Sequence, residues 1–265
     1  VRIARNKFLV EVNDQFVRPN IKGLEFIDTD FNPKVLATKV GRIHSLPICV
    51  GAEYKYELKL NVGDEIVFNH LVCQDRNKFS ENIFFCQYYN IYGVIRDGEL
   101  IPLEDVFFCT KIVEPDVNLG GFNIPGKVSD KCATVIAKSD LVGKEGVLCG
   151  DIVYFTKNAD YEIVISGHEL YKMHLRNIIG IEREGKLKTF RNKLLVKDIT
   201  ELGLVGGLEK IYANTSLRIG IIQESGTTGI EVGSKVAYYN GVASILRWKD
   251  EDYAFIAEEN LKFII

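Results

Sequence analysis

Apolar positions along this chain come in short runs rich in Val, Ile, Phe and Tyr, broken by Gly, Asn and Asp roughly every 8–12 residues. That rhythm predicts strands joined by turns, and hence an all-β fold of barrel or sandwich type. Three landmarks recur in a fixed order. The first is an early strand, Asn6-Lys7-Phe8-Leu9-Val10-Glu11, which returns as Asn192-Lys193-Leu194-Leu195-Val196-Lys197. A looser copy, Asp105-Val106-Phe107-Phe108-Cys109-Thr110-Lys111, lies between them. The second landmark is a glycine turn feeding a strand. It reads Val62-Gly63-Asp64-Glu65-Ile66-Val67-Phe68, then Cys149-Gly150-Asp151-Ile152-Val153-Tyr154-Phe155, then Val232-Gly233-Ser234-Lys235-Val236-Ala237-Tyr238. The third closes each unit: Asn90-Ile91-Tyr92-Gly93-Val94-Ile95, Asn177-Ile178-Ile179-Gly180-Ile181, and Asn260-Leu261-Lys262-Phe263-Ile264-Ile265.

The spacing makes these landmarks a repeat. From turn to closing strand the chain runs 31 residues between Asp64 and Ile95, 30 between Asp151 and Ile181, and 31 between Ser234 and Ile265. From early strand to turn it varies: 58 residues from Asn6 to Asp64, 46 from Asp105 to Asp151, and 42 from Asn192 to Ser234. Insertions therefore fall between the first strand and the turn, where surface loops tolerate them. Three tandem units follow, 1–101, 102–185 and 186–265, the first with a longer stretch from Ile43 to Leu60. Arg96-Asp97-Gly98-Glu99 and Arg183-Glu184-Gly185-Lys186 read as tight hairpins carrying each unit into the next. Such short joints predict units packed side by side.

The order of strand, long loop, glycine turn, strand and closing strand resembles the co-chaperonin (GroES-like) family. The middle unit carries the likeness best. There Gly120-Gly121-Phe122-Asn123-Ile124-Pro125-Gly126 follows the early strand, and Ala133-Thr134-Val135-Ile136-Ala137 precedes Cys149-Gly150-Asp151. In the last unit Glu251-Asp252-Tyr253-Ala254-Phe255-Ile256-Ala257-Glu258-Glu259-Asn260-Leu261 is similar to the family's closing segment. The resemblance implies three GroES-like, partly open β-barrels packed side by side and a homo-oligomeric ring. It also implies mobile loops that dock apolar residues on a GroEL-like chaperonin ring, with nucleotide bound by that partner. Carried over by position, the docking residues are Leu24, Phe26 and Ile27 in the first loop, Phe122, Asn123 and Ile124 in the second, and Leu208 and Ile211 in the third. The family's tripeptide is apolar throughout, whereas Glu25, Asn123 and Glu209 interrupt it here. Three units per chain also do not divide into a sevenfold partner. The alternative is a structural ring or adaptor protein, for example in a phage particle, that keeps the barrel without capping.

Composition narrows the function further. With 46% hydrophobic and 26% charged residues the chain can bury a core, and its net charge of −3 gives no footprint for DNA or RNA. No run reaches the ~18 apolar residues of a membrane helix, and the opening Val1-Arg2-Ile3-Ala4-Arg5 is too polar for a signal peptide. The six cysteines form no Cys-x-x-Cys pair, which predicts reduced, structural thiols and a cytoplasmic setting, or a virion for the alternative. His168 and His174 stand six apart on a strand-like segment, unlike a His-Glu-x-x-His zinc helix. Ser225-Gly226-Thr227-Thr228-Gly229 lacks a phosphate-loop lysine and reads as a turn, as does Gly143-Lys144-Glu145-Gly146. Asp64 and Asp151 are expected to pin their turns through backbone amides. No catalytic residue, metal site or cofactor is assigned: the chain is expected to be a binding protein and not an enzyme.

Overall fold

The computed structural model describes residues 3, 5–13, 20–21, 24–25, 39–51, 60–113, 117–119, 122–124, 126, 128–156, 159–165, 167–199, 217–226, 229–249 and 251–265. These residues form an all-β protein of three antiparallel sheets, with one short α-helix and several 3-10 turns. The first stretch holds β1 (Lys7–Glu11), β2 (Asn20–Ile21), β3 (Leu24–Glu25), β4 (Val40–Ser45) and β5 (Glu65–Phe68). It continues through β6 (Lys78–Ser80), β7 (Ile83–Gln87), β8 (Ile91–Arg96) and β9 (Glu99–Pro102). The middle stretch holds β10 (Val106–Val113), β11 (Val117–Leu119), β12 (Phe122–Ile124), β13 (Val128–Lys138) and the helix α1 (Asp140–Lys144). After α1 come β14 (Ile152–Phe155), β15 (Tyr161–Ile165), β16 (His168–His174), β17 (Ile178–Arg183) and β18 (Lys186–Thr189). The last stretch holds β19 (Lys193–Asp198), β20 (Leu217–Ser225), β21 (Lys235–Tyr239), β22 (Ser244–Trp248), β23 (Glu251–Ala257) and β24 (Leu261–Ile264).

The three sheets share one strand order. The first runs β6-β7-β1-β4-β5-β8-β9. In the second, β15-β16-β10-β13 and β14-β17-β18 take the corresponding places, and the third runs β22-β23-β19-β20-β21-β24. Each order has two free ends, so none of the sheets is a closed barrel. The irregularities repeat as well. A register shift falls between Leu9 and Val10, between Phe108 and Cys109, and between Leu195 and Val196. Another falls between Val67 and Phe68, Tyr154 and Phe155, and Ala237 and Tyr238. Bulges bend a strand and raise its twist, and here they recur at equivalent places in all three sheets. The pairings Glu65↔Ile95 and Ile152↔Glu182, with Ile265 donating to the Lys235 carbonyl at 2.7 Å, explain the fixed turn-to-closing distance. Ile95, Glu182 and Ile265 are the true equivalents, so the interval is the same in all three.

The central strands are buried at successive positions, on both faces. Phe8, Val10, Ile43, Ile66, Phe68, Phe84, Cys86 and Val94 belong to one buried cluster in the first sheet. Leu194, Val196, Ile222, Val236, Tyr238, Ala254 and Ile256 do the same in the third. The expected hairpins form: Arg96 pairs with Glu99 and Arg183 with Lys186. Asp97 (φ 51°) and Gly98 (φ 81°), like Glu184 (φ 52°) and Gly185 (φ 70°), take the left-handed pair that a two-residue turn demands. The tight turn expected at Gly143 is instead the end of α1, because the Ser139 hydroxyl caps it by accepting from the Val142 amide at 3.2 Å.

The first sheet ends at Pro102, and β18 belongs to the second sheet. By packing, the residues group into two compact units, 1–150 with 158–176, and 151–157 with 177–265. The strands of the second sheet are shared out between these units, four to one and three to the other, and each unit contains one joint between successive sheets.

Candidate functional site

The docking residues expected from sequence lie between the first and second strands of each repeat. Leu24 is in β3, which pairs with β2 through Asn20↔Glu25 and Ile21↔Leu24. Phe122, Asn123 and Ile124 make up β12, which pairs with β11 through Val117↔Ile124, Asn118↔Asn123 and Leu119↔Phe122. In both cases two residues separate the innermost pair, and the ribbon is a sheet of its own, apart from the main sheets. Phe26, Ile27, Leu208 and Ile211 lie outside the described residues.

Register gives the polar interruptions a meaning. Successive positions of a strand alternate between faces. Positions 117, 119, 122 and 124 share one face of the second ribbon, and 118 and 123 share the other. Val117, Leu119, Phe122 and Ile124 are all apolar, while both residues on the other face are asparagine. In the first ribbon Ile21 and Leu24 share a face, opposite Asn20 and Glu25. A strand needs this two-residue period to be apolar on one side only, so Asn123 and Glu25 fit the pattern.

The joints between sheets hold the densest polar chemistry. In the first, Val67, Tyr92, Val106, Phe108, Tyr161, Ile163 and Leu170 form one buried cluster. The Tyr161 hydroxyl accepts from the His70 backbone amide at 2.9 Å and lies 2.6 Å from His70 Nδ1. The buried Lys172 ammonium sits over the Tyr92 ring at 4.3 Å and touches His174 Nε2 at 3.0 Å. His174 Nδ1 lies 2.8 Å from Asp105. With Nε2 accepting from the ammonium, Nδ1 carries the proton and donates it to the carboxylate. Burial pushes the Tyr161 phenol up to about 12 and raises Tyr92 further, so both stay protonated. Burial also lifts the thiols of Cys73 to about 11 and Cys109 to about 12, the reverse of nucleophile activation.

At the second joint, Gly180 in β17 lies against Phe255: a Cβ there would meet the ring's Cζ at 2.3 Å. Tyr154 and Trp248 both donate to the Glu182 carboxylate, at 2.8 and 3.0 Å. Lys193 reaches the Ile178 carbonyl at 3.0 Å and Lys249 the Gly185 carbonyl at 2.8 Å. Gly93, the equivalent of Gly180, has Phe108 of the next sheet 3.4 Å from a built Cβ. A glycine in the closing strand thus admits an aromatic ring of the following sheet.

The glycine-turn aspartates do more than sequence suggested. Asp64 accepts from the Asn61 amide at 2.8 Å, as expected, and also takes a two-pronged contact from Arg96. Arg183 holds the buried Asp151 in the same way, Nε and Nη2 both at 2.7 Å. Each arginine follows its aspartate by 32 residues, a recurrence visible in the chain but not singled out. Among the described residues no group of three His, Cys, Asp or Glu side chains could hold a metal. His168 and His174 are separated along β16 by about 20 Å of strand rise. No helix of the described residues is long and apolar enough to cross a membrane. No protein-family model matches this chain, and no curated protein sequence is significantly similar to it.

Proposed function

We propose that the chain is a co-chaperonin-like docking protein whose GroES-like units engage a chaperonin ring through the ribbons at Leu24 and at Phe122–Ile124. The supporting observation is that two units carry, at the same place between their first and second strands, a two-stranded ribbon with one apolar face. A small ribbon buries too little apolar surface for tight binding alone, so docking relies on several acting together. Nucleotide chemistry belongs to the partner in this reading, and the protein supplies contact and timing only.

Native mass analysis with a chaperonin and ATP or ADP tests it. A nucleotide-dependent complex, lost on Phe122→Asp and weakened on Leu24→Asp, is the expected result. A protein that ignores chaperonin in every nucleotide state overturns the reading. A structural ring or adaptor role is the second reading, favoured by three repeats that do not divide into a sevenfold partner.

A further inference from the structure

The second sheet carries a charge where the other two carry a ring. Lys172 in β16 pairs with Phe108, as Phe85 pairs with Leu9 and Phe255 with Leu195. A register shift follows Phe108, Leu9 and Leu195 alike, so the three pairs are equivalent. The lysine is covered like a core residue, at 7% exposure, and Lys39, at 4%, is the other buried lysine among the described residues. Both amines face Tyr161: Lys172 Nζ stands 5.5 Å and Lys39 Nζ 5.7 Å from its ring centroid. A phenylalanine would fill this slot without the loss of hydration that a buried charge incurs. What the lysine has beside it is a base. His174 Nε2 lies 3.0 Å from Lys172 Nζ, and His174 Nδ1 lies 2.8 Å from Asp105. Burial raises the Asp105 carboxyl, but the His174 hydrogen bond and the His174 and Arg176 charges outweigh it and hold it below its ordinary 3.8. The side chains of His174 and Asp105 are 20% and 37% exposed, so this relay runs from a covered amine out to water.

We propose that Lys172 is an acceptor of carbon dioxide, which it takes up as a carbamate, with His174 as the base and Asp105 as the group that positions it. An amine is a nucleophile only without its extra proton, and burial beside a base is the setting in which lysines give it up. The ammonium passes a proton to His174 Nε2, and the imidazolium that forms keeps its Nδ1 hydrogen bond to Asp105. The nitrogen lone pair then bonds to the carbon of CO2, one C–O π pair moves onto oxygen, and the nitrogen sheds a second proton to water. One ammonium and one CO2 go in, one carbamate and two protons come out, and no atom changes oxidation state. Carbon dioxide suits the position because it is small, uncharged and apolar, and the amine lies within an apolar cluster around Tyr92, Phe108 and Tyr161. The product suits it as well. An anion replaces a cation, beside the His174 imidazolium and on a ring that Lys39 also faces.

The test incubates the intact chain in isotope-labelled bicarbonate, traps carbamates as esters with a trialkyloxonium salt, and locates the label by peptide mass spectrometry. At neutral pH, Lys172 is expected to carry several-fold more label than the exposed Lys186 and Lys188. Asp105→Asn keeps the amine but takes the anion from behind the imidazole. In that variant the pH at which Lys172 is half-labelled is expected to move upward, with full labelling regained in alkali and circular dichroism unchanged. A shift of this kind separates a positioning role from a structural one. Label on Lys172 that does not exceed label on Lys186 and Lys188 overturns the proposal. A half-labelling pH that Asp105→Asn leaves where it was overturns the relay.

Discussion

The closing strands β17 and β24 occupy the same place in the second and third sheets but hold opposite contents. In β17, Gly180 admits the Phe255 ring, Arg183 forks onto Asp151, and β18 covers the outer edge. In β24 a phenylalanine stands at the glycine position, while the turn residue is Ser234 in place of aspartate. The third sheet finds its ion pair elsewhere, between Arg218 of β20 and Asp198 of β19. Its interior also differs: Tyr238 stands where Phe68 and Phe155 stand in the others, and its buried hydroxyl has no hydrogen-bond partner among the described residues. Strand order and bulges recur in all three sheets, while the contents of the closing strand vary within that frame.

Substitution at the glycine separates these roles most sharply. Gly180→Val drives a side chain into the packed Phe255 ring and is expected to lower stability by about 3 kcal/mol in denaturant titrations. Gly93→Ala meets its nearest atom, the Ile101 carbonyl oxygen, at 3.0 Å and should cost about 1 kcal/mol. Phe263→Ala, on an exposed position, leaves single-chain stability unchanged to within about 0.5 kcal/mol. Equal effects at Gly180 and Phe263 would remove the distinction drawn between the two strands.

The aspartate forks come next. Arg183→Ala leaves the Asp151 carboxylate, whose side chain is 3% exposed, without its guanidinium. A loss of about 2 kcal/mol is expected, between the values for surface and fully buried pairs, and Arg183→Lys should restore only part of it. In the third sheet the expected sign reverses. Tyr238→Phe removes an orphaned hydroxyl and should raise stability by about 1 kcal/mol, read as a higher denaturation midpoint.

The smallest effect is one of pH. Burial pushes the Asp64 carboxyl up, but the Arg96 hydrogen bond, the Asn61 amide and the Arg96 charge outweigh it and hold the group below its ordinary value of 3.8. A depressed folded-state value contributes stability above the unfolded value, and the contribution disappears as pH falls through the folded one. Asp64→Asn is therefore expected to flatten the acid limb of the stability curve below pH 3.8 and to leave its slope at neutral pH unchanged. A steeper acid limb in the variant would contradict the assignment.

What sequence made legible was the local part of the fold. The glycine turn and closing strand pair across a fixed interval, so register alone reproduces the spacing three times. The first strand is equally plain, because its apolar run is long enough to stand out. The outer hairpins, β6–β7, β15–β16 and β22–β23, share the fold but little sequence, and no landmark marked them. Joint residues such as Tyr92, Tyr161 and Lys172 are invisible to periodicity, since their partners are remote in the chain. Asn123 was legible but misleading: as part of an apolar tripeptide it looked like damage, and only the pairing with Asn118 shows the two-residue alternation of a ribbon. The fork from Arg183 to Asp151 lay in plain view as a repeated interval of 32 residues, masked by an aspartate that already had a reason to be in its turn.

The most direct test of the docking account is hydrogen exchange on the intact chain, alone and with a chaperonin holding nucleotide. The account predicts new protection in residues 17–30 and 115–127, with the three main sheets exchanging as before. Unchanged exchange in both segments would contradict it.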